Sequence, residues 1–197
     1  MADTIRRMET SLTDRIRATI ERCQAFIADK DDALSLPEES ARFVHATILA
    51  ARPKVCVEIG TSYGHSGLWI ASAAAAVGAR VVTIDREARK SEIAAQFFRE
   101  AGLDGVITCR TGMAAEILPT IDGPIDWVLN DADKENYPRY VEMLYPRLSI
   151  GGMVLSDNVC NVDLVREQFV PWVRAHGGFF STLVTVGNGL EMSVKIR

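Results

Sequence analysis

Val57-Glu58-Ile59-Gly60-Thr61-Ser62-Tyr63-Gly64-His65-Ser66-Gly67 runs from a short apolar stretch into a glycine-spaced loop, then into an alanine-rich run ending at Val77. An apolar run of about five residues closed by glycine reads as a buried parallel strand, and the alanine-rich run as a helix. Glycines at 60, 64 and 67 allow close backbone approach and tight strand–helix packing, as in nucleoside-binding α/β sheets. The spacing is not GxGxxG, because Ser62 and His65 stand where its second and third glycines would fall. A carboxylate at Glu58, just before the glycines, suits a cation better than a pyrophosphate. Asp85, closing the next strand, can accept hydrogen bonds from ribose hydroxyls. Together these features favour an adenosyl cofactor carrying positive charge over a dinucleotide.

Outward from this stretch, strand-like and helix-like runs alternate. Strands are expected at 55–59, 80–84, 106–110, 125–130 and 153–156. Helices are expected at 64–77, 87–101, 114–118, 138–148 and 164–176, the last two closed by Gly151-Gly152 and Gly177-Gly178. Such alternation implies a mostly parallel sheet with right-handed crossovers and helices on both faces. The end departs from it: residues 179–186 and 190–196 flank Gly187-Asn188-Gly189, a hairpin signal that makes the final strand antiparallel. Ahead of the sheet, Ile5, Met8, Leu12, Ile16, Ile20, Cys23 and Ile27 mark an amphipathic helix over 4–29. It is read as packed on its own domain, with a lid or a dimer contact as the alternatives. Pro37-Glu38-Glu39 opens a second helix reaching about Ala51. No repeat or linker interrupts the chain, so one domain over 1–197 is expected, with N-terminal helices in 1–50 and the core in 54–197.

Chemistry gathers at two distant places, Leu129-Asn130-Asp131-Ala132-Asp133-Lys134-Glu135-Asn136-Tyr137 and Leu155-Ser156-Asp157-Asn158. Each sets oxygen-bearing side chains where an apolar strand stops, the edge at which open α/β sheets bind ligands. Asp131, Asp157 and Asn158 are therefore expected to converge, with the ammonium of Lys134 beside them. Two carboxylates and an amide carbonyl are hard donors, fit for Mg²⁺ or Ca²⁺ and poor for zinc. A strand-end aspartate can also be a helix N-cap; the combination with Lys134 favours catalysis.

Composition narrows the classes. The 197 residues carry a net charge of −4, and with a pI near 5.4 they lack the basic face that nucleic acid requires. No apolar run approaches the roughly 20 residues of a membrane span. Asp3, Arg6, Arg7 and Glu9 fall where a secretory signal would need its apolar core. Cys23, Cys56, Cys109 and Cys160 form no CxxC pair, so reduced thiols and a cytoplasmic location are expected. His45, His65 and His176 have no evident Ser or Cys partner, which leaves no nucleophile constellation.

Glu58 to Ser66, Asp85, Asp131 to Tyr137 and Asp157-Asn158 together resemble the cation-dependent small-molecule O-methyltransferases, the class I group containing catechol and caffeoyl-CoA O-methyltransferases. The resemblance covers about residues 35–197, including the terminal Gly-Asn-Gly-Leu-Glu. It implies a Rossmann-like, doubly wound seven-stranded sheet with an antiparallel C-terminal strand, and S-adenosylmethionine as cofactor. It implies that Glu58, Gly60, Ser62, Gly64 and Ser66 line the methionine side, that Asp85 takes the ribose, and that Arg86, Met113 and Ala114 border the adenine. Asp131 and Asp133 would border the cofactor too. Asp131, Asp157 and Asn158 would hold Mg²⁺ (or Ca²⁺ or Mn²⁺), Lys134 would be the general base, and Tyr137 would pack the strand–helix turn. The acceptor would be a small, phenolic or catechol-like molecule and the protein a homodimer.

The chain also departs from that family. Catechol-type members hold the second hydroxyl with an acidic residue before the terminal hairpin, whereas residues 168–190 here contain no carboxylate. Caffeoyl-CoA-type members carry a longer insertion after Asp-Asn. Asn130 stands where an apolar residue is usual. Trp172, Phe179 and Phe180 are candidates for an acceptor wall or for core packing. A metal-independent methyltransferase, a non-catalytic adenosyl-binding module and, last, a nucleotide-dependent oxidoreductase remain as alternatives.

Overall fold

The computed structural model describes residues 12–197; the part of the N-terminal amphipathic pattern before Leu12 lies outside them. In chain order the elements are α1 (Asp14–Ile27), α2 (Glu38–Ala51), β1 (Val55–Ile59), α3 (His65–Val77), β2 (Arg80–Asp85), α4 (Ala88–Ala101) and β3 (Ile107–Thr111). Then come α5 (Ala114–Ile117), β4 (Ile125–Asn130), α6 (Tyr137–Leu144), β5 (Leu148–Ser156), α7 (Val170–Ala175), β6 (Phe179–Val184) and β7 (Leu190–Lys195). The seven strands form one sheet in the order β3-β2-β1-β4-β5-β7-β6. Pairs among β1 to β5 are parallel, and β7 runs antiparallel to both β5 and β6. The reversed last strand is thus inserted between its predecessors, and β6 forms the edge.

Two apolar layers cover the sheet. On one face Ile16, Ile20 and Cys23 of α1, Val44 and Ile48 of α2, Leu68 and Ile70 of α3 and Phe98 of α4 pack on Trp127, Leu129 and Leu155. On the other, Tyr140, Val141 and Leu144 of α6 and Val173 of α7 pack on Val57, Ile59, Val128 and Val154. Every residue of β1 is buried, as expected of a central strand flanked by helices on both sides. α1 starts where the Thr13 hydroxyl accepts the backbone N–H of Ile16 at 3.3 Å, and Arg15 ties it to the carbonyls of Arg99 and Glu100 at the end of α4. Among the described residues this packing buries Ile16, Ile20, Cys23 and Ile27 of the apolar stripe. No helix among the described residues is long and apolar enough to cross a membrane.

Two expected boundaries are corrected. Gly151-Gly152 does not stop a helix: α6 ends at Leu144, a tight turn at Tyr145–Arg147 follows, and the glycines lie inside β5. Two steps along β4, Ile125 to Trp127, are matched by five along β5, Leu148 to Met153. Gly151, at φ +81°, makes that bulge possible without a Cβ penalty. The helix expected over 164–176 begins as a π-helical turn at Val165–Phe169 before α7. Pro171 explains it: a proline clashes with the carbonyl four residues back, and a widened turn moves that carbonyl aside.

Candidate active site

The strand order reverses between β1 and β4, and there the C-terminal ends of β1, β2, β4 and β5 open onto a cleft of about 580 Å³, the usual ligand crevice of such sheets. Its walls include Gly60, Ser62, Asp85, Arg86, Met113, Ala114, Asp131, Asp133, Lys134, Asp157 and Asn158. Eleven of the residues expected at the site therefore share one cavity. Its lining holds six carboxylates (Asp32, Asp85, Glu87, Asp131, Asp133, Asp157) against three bases (Arg86, Lys90, Lys134), a balance that favours cationic ligands.

The β1–α3 loop is shaped by its backbone. Gly60 has φ +106°, and a Cβ there would run into the backbone carbonyl of Asp131. Only glycine lets the first and fourth strands close at this point. Ser62 also has positive φ, +47°, and its N–H donates to Asp85 Oδ2 at 2.7 Å, while the N–H of Glu87 donates to Oδ1 at 2.9 Å. Asp85 is thereby fixed in orientation with lone pairs left over for a ligand.

Glu58, Gly64 and Ser66 are not on the cleft wall, contrary to the expectation that they line it. Alternation along β1 turns Glu58 to the face covered by α3 and α4, where it is wholly buried. It accepts from the hydroxyls of Ser66 (2.5 Å) and Thr83 (2.6 Å). Burial pushes its carboxyl up to about 7 despite those bonds. Gly64 lies against Ala94 of α4. These three residues brace the loop from behind.

The acidic tips meet. Asn130 pairs in register with Ser156, so Asp131 and Asp157 follow the ends of adjacent strands; the N–H of Asp157 donates to the carbonyl of Asn130 at 3.3 Å. Lys134 Nζ donates to Asp131 Oδ1 at 2.6 Å. Burial raises the Asp131 carboxyl against the pull of Lys134. Burial and then the Asp131 charge raise Asp157 to about 7. Oδ1 of Asp157 is buried without a hydrogen-bond partner. Among the described residues no three His, Cys, Asp or Glu side chains form a metal-binding group; the set here is two carboxylates and an amide. A buried carboxylate at Asp157, with one oxygen unpartnered, beside the half-buried, like-charged Asp131 forms a donor set that a hard divalent cation fits.

Several residues enter that sequence reading missed. Asp133 accepts from Tyr140 Oη at 2.7 Å and also from the Asn136 amide, and Tyr140 lines the cleft. The α1–α2 connection, residues 32–35, forms one wall. It is held by Tyr63 Oη on the Asp32 carboxylate at 2.9 Å and by Lys90 Nζ on the Asp32 carbonyl at 3.0 Å. Asn161, Val162 and Asn188 complete the far end. The sequence signal for Asn188 was its place in the hairpin turn; the others gave none beyond a polar break. Trp172, Phe179 and Phe180 line no part of the cleft. Phe179 is buried beside Tyr145 and His176, and Phe180 projects from the edge strand, 66% exposed.

The chain belongs to the methyltransferase domain family, whose sequence model matches residues 57–159. It is 30% identical over 140 residues to a catechol O-methyltransferase of Niastella koreensis, covering 69% of this chain and 63% of that one. It is 33% identical over 134 residues to a catechol O-methyltransferase of Mycobacterium tuberculosis, covering 65% and 60%. The chain thus spans about three fifths of the length of these relatives. Among solved structures, the O-methyltransferase of Bacillus cereus in complex with SAH superposes with a TM-score of 0.81 at 26% identity, covering 90% of each chain. TomG of Streptomyces achromogenes, an O-methyltransferase in complex with SAM, gives 0.78 at 26%, covering 94% of this chain and 91% of that one.

Proposed function

We propose that this protein is a divalent-cation-dependent O-methyltransferase that moves the methyl group of S-adenosylmethionine to a small phenolic or catechol-like hydroxyl. The observation that carries the reading is the adjacency of Asp131 and Asp157, with Oδ1 of Asp157 unpartnered and Lys134 2.6 Å from Asp131. The kinship with catechol O-methyltransferases and the cofactor-bound neighbours supports it.

Asp85 is assigned the ribose hydroxyls, Met113, Ala114 and Arg86 the adenine border, and Gly60 and Ser62 the methionine side, with Glu58, Gly64 and Ser66 as the brace beneath. Asp131, Asp157 and Asn158 would hold Mg²⁺ or, in its place, Mn²⁺ or Ca²⁺, which when bound supplies a positive charge favouring the acceptor's oxyanion. Lys134 would receive the acceptor's hydroxyl proton as a neutral amine, after the ammonium that donates to Asp131 has given up a proton to solvent. In the transfer an O–C bond forms as the C–S bond of the sulfonium breaks, leaving a neutral thioether, and no covalent bond to the protein is made. The chain's contribution is to hold acceptor and donor in line within one cleft.

The test is methyl transfer from labelled S-adenosylmethionine across phenols, catechols and other hydroxylated scaffolds, with Mg²⁺, Mn²⁺ and Ca²⁺ supplied in turn. Turnover should vanish in EDTA and return with the ion. Asp131→Ala should lower it by about 10³-fold, the scale of a lost charge-stabilising group, with cofactor binding retained. Full activity in chelator refutes the cation and leaves a metal-independent methyltransferase.

A further inference from the structure

Two of the three oxygen donors have a neighbour occupying one end of the fork. Lys134 takes Oδ1 of Asp131, while Oδ1 of Asp157 stays buried and unpartnered. Asn158 donates through Nδ2 to Asn161 Oδ1 at 3.2 Å, which leaves its own Oδ1 free. Asn158 holds this pose on a left-handed backbone, φ +70°, one of the few such conformations asparagine adopts readily. The carbonyl of Asn158 accepts the N–H of Val162 at 3.1 Å, and the N–H of Cys160 donates to the carbonyl of Asn188 at 2.8 Å. Loop and hairpin are therefore fastened together, and Asn158, Asn161 and Asn188 all border the cleft.

We propose that Asn161 is a positioning residue, occupying the Nδ2 end of Asn158 so that the single oxygen of that side chain faces the cation. The proposal rests on the cation-dependent reading above. An amide is symmetric in shape, and without Asn161 the Asn158 side chain can turn its NH₂ inward, presenting a donor where an acceptor is required. Partners that orient ligands in this way typically contribute 10- to 100-fold to metal affinity.

The probe is Mn²⁺ binding, followed by electron paramagnetic resonance with no acceptor present, on the full chain. Asn161→Leu should weaken Mn²⁺ by about 10-fold or more. Asn161→Asp, which keeps an oxygen for Asn158 Nδ2, should bind at wild-type strength or tighter. S-adenosylmethionine affinity, read by calorimetry, should be unchanged in both and serves as the check on folding. Asn161 is exposed, so its substitutions leave the core alone. Wild-type Mn²⁺ affinity in Asn161→Leu overturns the proposal while sparing the cation itself. Weakening in Asn161→Asp equal to that in Asn161→Leu overturns the orientation role of Asn161. Failure of the wild-type chain to bind Mn²⁺ at all overturns the cation-dependent reading and this proposal with it.

Discussion

The two ends of the cleft are built differently. At the cofactor end the shape is set by backbone: Gly60 against the Asp131 carbonyl, loop N–H groups on Asp85, and a buried carboxylate at Glu58 with two hydroxyl donors. At the far end the shape is set by side chains that lean on one another, and Asp157 keeps a bare oxygen beside a second carboxylate. A buried polar group left without a partner costs roughly 1–3 kcal/mol. The carboxylates of the cofactor end are held by donors of the chain itself, whereas at the far end one carboxylate oxygen has none. The difference separates substitutions that disturb folding from those that disturb chemistry.

Gly60→Ala tests the first half most severely. The residue would need φ +106° and a Cβ against a backbone carbonyl that cannot swing away. We expect a loss above about 3 kcal/mol in urea melts, combining strain at positive φ with the forced separation of β1 from β4. S-adenosylmethionine binding should be lost as well. Gly78→Ala supplies the contrast, with φ +76° but nothing within 4 Å of its added carbon; only the strain of roughly 1 kcal/mol remains. Equal effects at the two glycines would show that the close approach to Asp131 does not matter.

What the sequence disclosed follows the same division. The strand–loop–helix at 57–67 and the two acidic strand ends were legible because parallel strands put their C-terminal residues on one edge, whatever separates them in the chain. Glu58 was read as a carboxylate facing a cation and is placed instead as a brace behind the cleft, because alternation along a strand buried on both faces leaves no polar face to reveal its direction. The wall at residues 32–35 depends on Lys90, 58 residues away from Asp32, and no local pattern encodes that contact. Gly151-Gly152 misled because a left-handed glycine ends helices and makes bulges equally well. Asn161 carries no motif; its meaning arises only once the loop after β5 sets it beside Asn158.

Glu58 makes the difference between the ends visible as a function of pH. Its carboxyl is raised from the ordinary 4.5 to about 7 by burial, so the folded chain holds the proton more tightly than the unfolded one. Its contribution is therefore full below about pH 4.5 and is lost as pH rises through about 7. At about 1.4 kcal/mol per pH unit the ceiling is about 3 kcal/mol. His65 has the opposite sign: burial lowers it from 6.5 to about 4, so its contribution is full above about pH 6.5 and falls as pH drops towards 4. In the wild-type chain the two slopes oppose each other between about pH 4.5 and 6.5. Glu58→Gln should lessen the alkaline-side loss without abolishing it, because Asp157, also raised to about 7, loses stability over the same range; the change is read from urea midpoints between pH 4.5 and 8. An unchanged curve would mean that the Glu58 carboxyl titrates alike in both states.

The smallest effect is expected where the two ends touch. Asp133 borders the cleft and is held by Tyr140 Oη at 2.7 Å as well as by the Asn136 amide. Tyr140→Phe removes one of two restraints, and the ring stays in its apolar layer on Val141 and Leu144. Losing a single hydrogen bond to a charged acceptor costs about 1.5–3 kcal/mol. Because Asn136 remains, we expect the lower end of that range, about 10-fold weaker S-adenosylmethionine affinity by calorimetry. Mn²⁺ affinity should not move, since Asp133 supplies none of the three donor oxygens. If instead Mn²⁺ binding weakens while the cofactor binds as before, Asp133 belongs with the cation, and the boundary between the two ends must be drawn on the other side of Tyr140.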